Sequence, residues 1–166
     1  MRHLLVFGIV LCGTATVSAD QPAEIDADTL AFSQYINDVS RLDGMYRGVV
    51  DYCEQFVPAL IIDQSNVAWK RNNGPYIAAV DVAIERYISV RVEPKRKAEA
   101  IQQMKAYARE WFQSAHDQSD VLDRVQSADN KDFACSRMLG TMSSESFHLK
   151  RMFPADHEYW SRNLKP

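Results

Sequence analysis

The sequence predicts an all-α fold, an antiparallel helical bundle of about four main helices with short additional ones and one disulfide. Three observations predict it. Apolar residues recur at steps of three and four through most of the 166-residue chain, the spacing that places them on one face of a helix. The one stretch rich in β-branched residues, Val80 to Val92, alternates poorly and is interleaved with helix formers such as Ala78-Ala79 and Glu85-Arg86. Finally, the punctuation between segments is that of helix starts and stops, with Asp, Asn, Pro and Gly at the junctions.

The elements follow in order. Asp26 or Asp28-Thr29 offers an N-cap, and Phe32, Ile36, Val39, Leu42, Tyr46, Val49, Cys53 and Phe56 form a single stripe behind it. Asp43-Gly44 interrupts that stripe, which predicts either one long helix with a weak point or two helices in line. Pro58 suits the first position of a second helix, where a missing N–H costs nothing. Asn72-Asn73-Gly74 is expected to end that helix and Pro75 to open the third, through Ile77, Val80, Ile84 and Ile88. Glu93-Pro94 restarts the chain, and residues 95–115 carry Ala98, Ile101, Met104, Ala108, Trp111, Phe112 and Ala115 among strong helix formers. A turn at 116–119, a short helix at 120–127, a helix around Phe133 to Met142 and a last helix in 154–164 complete the chain.

The first nineteen residues read as a secretory signal peptide. Arg2 and His3 precede the apolar run Leu4–Leu11, and Val17-Ser18-Ala19 is a small-residue cleavage site before Asp20. The apolar run is too short to span a bilayer. The remainder, 20–166, is the size of one domain, and no later stretch is long and apolar enough for a transmembrane segment. Cys12 falls inside the leader, where Leu11 replaces the small residue that a lipid-attachment site places before its cysteine. Cys53 and Cys135 are then left as a pair, and a pair in an oxidising compartment forms a disulfide. It closes a loop of about 80 residues, worth up to about 4–5 kcal/mol in the chain-entropy picture. A periplasmic or secreted location follows from the leader.

Chemical motifs are sparse. With 19 Lys and Arg against 22 Asp and Glu, the chain lacks the basic excess of a nucleic-acid binder. His116, His148 and His157 show no i, i+4 pairing and no His-Glu-x-x-His. Glu145 and His148 fit one helix face, and Asp156, His157 and Glu158 form a second acidic–imidazole cluster, both expected as solvated surface. There is no Cys-x-x-Cys, no Cys-x-x-Cys-His haem attachment, no Gly-x-Ser-x-Gly and no glycine-rich phosphate loop. Asp117, Asp120 and Asp123 lack the glycine and terminal glutamate of a calcium loop. No cofactor, metal site or catalytic residue is therefore assigned, and an enzyme is not expected.

Two features suit binding. Arg86, Arg91, Lys95, Arg96 and Lys97 place five cations within twelve residues, three of them at a helix start, where cations are unfavourable. Trp111 and Phe112 are adjacent, so both rings cannot point straight at a core, and an exposed one suits an interface anchor. The expected function is that of an exported helical binding protein, an inhibitor, immunity or accessory factor acting on a protein partner in the cell envelope. The alternative is a carrier of a small apolar or metal-containing ligand between helices. Oligomeric state is left open by the sequence.

Overall fold

A computed structural model describes residues 26–164; the signal peptide expected at 1–19, with Cys12, lies outside them. The described residues are helical without a strand: α1 (Ala27–Cys53), α2 (Ala59–Ala78), α3 (Val80–Arg91), α4 (Lys97–Asp117), α5 (Asp120–Ser127), α6 (Lys131–Met142), α7 (Leu149–Met152) and α8 (Pro154–Asn163), with 3-10 turns at Pro94–Arg96 and Glu145–Phe147. No helix among them is long and apolar enough to cross a membrane.

α1 is the hub, packing against α2, α3, α4, α5, α6 and α8. Asp26 starts it, accepting the Thr29 backbone N–H at 2.9 Å and so satisfying an orphan donor of the first turn. The predicted stripe is buried from Phe32 through Ile36, Val39, Leu42, Tyr46 and Val49 to Cys53, joined in the core by Tyr35, while Phe56 falls in the turn beyond the helix and is half-buried. Each such apolar side chain contributes about 1.5–3 kcal/mol of burial. Tyr46 stacks on Trp69 of α2 with centroids 4.1 Å apart, and Phe32 stacks on Tyr87 of α3 at 3.9 Å. Cys53 and Cys135 are joined, Cα atoms 5.5 Å apart, tying the end of α1 to α6 across 82 positions.

At Asp43-Gly44 the single long helix is the alternative found, and the break expected at Asn72-Asn73-Gly74 does not occur. α1 runs unbroken through Asp43-Gly44 because the glycines serve the far side of the helix. A Cβ on Gly44 would overlap the carbonyl oxygen of Phe112 and lie 2.9 Å from its carbonyl carbon, and one on Gly48 would meet His116 in the same way. Gly44 and Gly48, one turn apart, therefore let the α4 backbone approach as far as sterics allow. Likewise α2 passes straight through Asn72-Asn73-Gly74-Pro75. The buried Asn73 side chain accepts the Leu149 N–H at 2.9 Å and donates to the Phe147 carbonyl at 3.2 Å, while Asn72 donates to the Ser143 carbonyl at 3.0 Å. These tertiary bonds hold the asparagines in helical conformation against their turn preference. The break comes instead at Ala79, one turn beyond Pro75. Smaller shifts are a helix start at Ala59 with Pro58 as its cap position, and an α4 that continues to Asp117.

Candidate functional site

The five sequence-selected cations lie on α3, on the Pro94–Arg96 turn and at the start of α4, and the fold spends them unequally. Arg91 is taken up within the chain: its guanidinium lies 4.3 Å from the Tyr87 ring centroid and 3.4–3.7 Å from Asp28 and Asp26. Lys97 donates to the Ser89 carbonyl at 2.5 Å, so this cation closes the α3–α4 connection. Lys95 meets Glu93 at 3.2 Å with both side chains in water, a geometry of little energetic value. Arg86 and Arg96 are exposed and have no ion pair among the described residues.

The helical period sorts the rest of α3. Asp81 and Glu85 point toward α4, where Lys105 bridges both at 3.4 and 2.8 Å. Those hydrogen bonds, Glu85 first, hold the Lys105 ammonium above its ordinary pKa. With the acids neutralised on that flank, the outer face presents Val82, Arg86 and Val90 at four-residue steps. Val82 is 46% exposed and Val90 73%. The result is a strip of apolar and cationic groups on an otherwise acidic protein, running on into Lys95 and Arg96. Trp111 and Phe112 are not part of it: both rings are half-buried, and Phe112 lies where its carbonyl faces Gly44.

Elsewhere, three groupings that the sequence left dispersed come together. His116 bridges Asp51 of α1 and Asp117, each at 2.8 Å; the bond to Asp117, then that to Asp51, raises the imidazole pKa. A second grouping surrounds Tyr76, whose hydroxyl contacts Nδ1 of His157 at 2.9 Å and whose ring lies among His148, His157 and Trp160. Burial pushes the Tyr76 phenol up and, with Lys150 and His157 nearby, the His148 imidazole down. Glu145 and His148 do not share a helix face, since Glu145 opens a 3-10 turn and His148 caps α7.

The third grouping corrects the expected solvated cluster at 156–158. Asp156 is 1% exposed and faces Asp38 of α1, and its Oδ2 has no hydrogen-bond partner among the described residues. Burial first, then the Asp38 charge and hydrogen bond, push the Asp156 carboxyl up to about 7. No sequence signal marks this pair, which are 118 positions apart by numbering and meet only because α8 folds back on α1.

A cleft of about 370 Å³ opens between α1, the α2–α3 junction and α4, lined among others by Ser40, Asp43, Asp81, Lys105 and Arg109. Its charges are mostly spent on one another. Asp43 accepts the Trp69 indole N–H at 3.2 Å and lies 3.6 Å from Arg47, and burial raises its pKa. Among the described residues no group of three or more His, Cys, Asp or Glu side chains is placed to hold a metal ion. No protein-family model, curated protein or solved structure matches the chain.

Proposed function

We propose that this is an exported binding protein, an inhibitor, immunity or accessory factor that docks an acidic protein partner in the cell envelope through α3 and the turn after it. One observation carries the reading: two exposed valines, Val82 and Val90, with Arg86 between them and Arg96 on the following turn, neither arginine ion-paired among the described residues. Apolar area supplies affinity, and flanking like charges steer and orient a partner of opposite sign. Large exposed aliphatic side chains bordered by charge are the usual mark of such a surface. The envelope location rests on the leader at 1–19, with the Cys53–Cys135 bridge as modest further support.

The test is affinity capture by the oxidised protein from native envelope extract, compared with R86E/R96E and V90D. A single stoichiometric protein is expected, with its retention falling at least tenfold in either variant and weakening as salt screens the charges. A blank at low salt, or capture unchanged in both variants, overturns the reading.

A further inference from the structure

A different surface, the outer face of α2, is built to meet itself. The inner face of this helix is spent on the core through Ile62, Ser65, Trp69, Asn73 and Tyr76. The opposite face carries Leu60 and Val67, 65% and 68% exposed. An open groove of about 310 Å³ runs along it, lined by Asp63, Gln64, Val67, Ala68 and Arg71. Gln64, Val67, Ala68 and Arg71 stand at i, i+3, i+4 and i+7, the four-residue hole that accepts an apolar knob from a facing helix.

The order of residues on this face is complementary to its own reverse. About a two-fold axis through Val67, an antiparallel second copy places its Arg71 opposite Asp63 and its Asp63 opposite Arg71. Gln64 then faces the second copy's Lys70, and Leu60 faces its Gly74. Gly74 leaves room for that leucine, since a Cβ there would meet only the Lys70 side chain, at 3.3 Å. Asp63, Lys70 and Arg71 make no ion pair within the chain among the described residues. A parallel pairing would set Asp63 against Asp63 and Arg71 against Arg71, so charge selects the antiparallel arrangement.

We infer that the chain self-associates as a two-fold dimer in which α2 packs antiparallel against α2 of a second copy, with Val67 on the axis and two Asp63–Arg71 pairs flanking it. Such an interface is isologous and closes on itself, so association stops at two. It is one helix face of about four turns in each copy, a narrow contact beside stable interfaces, which bury roughly 1,200 Å² or more in total. The dimer is therefore weak and concentration-dependent. It leaves α3 uncovered, so the dimer presents two copies of the Val82–Arg86–Val90 strip and gains avidity toward any partner with two binding positions. The inference does not rest on the partner reading, because the two use different helices.

Sedimentation equilibrium of the oxidised protein across a broad concentration range tests it. A monomer–dimer equilibrium is expected. D63R and R71D are each expected to weaken it at least tenfold by setting like charges opposite one another. The exchange variant D63R/R71D is expected to restore association to within about threefold of the parent, since charge-pair effects of adjacent residues are non-additive. Both substitutions are on exposed side chains, and unchanged circular dichroism of all three variants confirms folding. A chain that stays monomeric up to millimolar concentration overturns the inference. So does a dimer insensitive to both single variants, or one that the exchange variant fails to restore. Capture of an envelope partner by D63R at the level of the parent, with dimerisation lost, separates this surface from the one on α3.

Discussion

Where α1 crosses α4, the two backbones touch through Gly44 and Gly48; where it meets α8, the buried carboxyl of Asp156 faces the half-buried Asp38. The first contact owes its closeness to side chains that are missing, so it is van der Waals contact between backbones; Asp43, Lys105 and Arg109 line the cleft beside it, and His116 stands at its end. The second holds two groups that prefer water, one of them with an unpartnered oxygen. The burial of Asp156 and its hydrogen bond to Asp38 favour a shared proton over joint ionisation of the two carboxyls. One helix thus has a backbone contact that itself holds no proton to lose and a side-chain contact whose stability depends on pH. The difference shows that proximity to the core does not make a helix–helix contact robust; what counts is whether the buried groups have anything to lose.

The glycine contact should be the costlier to disturb. G44A/G48A is expected to lower stability by about 4 kcal/mol or more, because the added methyls meet backbone that cannot turn aside as a side chain would. Denaturant midpoints measure this, with Gly140→Ala as control. Gly140 has open space around its missing Cβ, and alanine there is expected to gain up to about 1 kcal/mol from helix propensity. Equal costs at all three positions would end the distinction between a glycine needed for approach and one merely tolerated.

The acid pair should give the next largest effect, and its sign is fixed by linkage. The folded-state pKa of Asp156, about 7, lies above the ordinary 3.8, so the folded protein keeps a proton that the unfolded chain releases. The contribution of Asp156 to stability is therefore greatest below about pH 4, declines as pH rises through the interval to about 7, and levels off above it, by about 2–4 kcal/mol in all. D156N places an amide N–H where the shared proton lies, and is expected to flatten the profile and to be more stable than the parent at pH 8. Urea titrations at several pH values would show it. A parallel decline in D156N would assign the pH dependence to other groups.

His116 should matter least. Its imidazole pKa is raised by Asp117 and Asp51, so the stabilisation is present below the ordinary value of 6.5 and is lost as pH rises through the raised folded value. Both carboxylates are more than half exposed, and H116Q is expected to cost about 0.5 kcal/mol at pH 6 and still less at pH 9. A loss above 2 kcal/mol would mean that the α4 end of the glycine contact is held by charge after all.

The same contrast explains what was legible in the sequence. The α1 stripe, the helical reading of Val80–Val92 and the Cys53–Cys135 pair depend on period and on compartment chemistry, which are local properties, and each is present in the structure. Gly44 was ambiguous because a glycine that breaks a helix and one that admits a neighbour are the same letter; only the Phe112 carbonyl distinguishes them. Asn72-Asn73-Gly74-Pro75 has the composition of a helix end, and the bonds to Ser143, Phe147 and Leu149 that override it come from more than seventy positions away. Asp156 follows a proline in a polar tail and looks like surface until α8 is seen against α1. The cationic strip is half legible: the cations of 86–97 can be counted, but not that Arg91 and Lys97 are engaged internally while Arg86 and Arg96 make no ion pair among the described residues.

The glycine pair in α1 also bears on how kin of this chain are to be recognised. What holds α1 to α4 is an empty volume, and empty volume survives wholesale exchange of surface chemistry as long as both positions stay without a side chain. Catalytic or ligand motifs offer no handle here. The transferable fingerprint is geometric: two glycines four residues apart, a cysteine five residues after the second, and its partner cysteine 82 positions further on. A distant chain that keeps those four letters in a helical frame would be expected to keep the α1–α4 crossing, whatever has become of its charges.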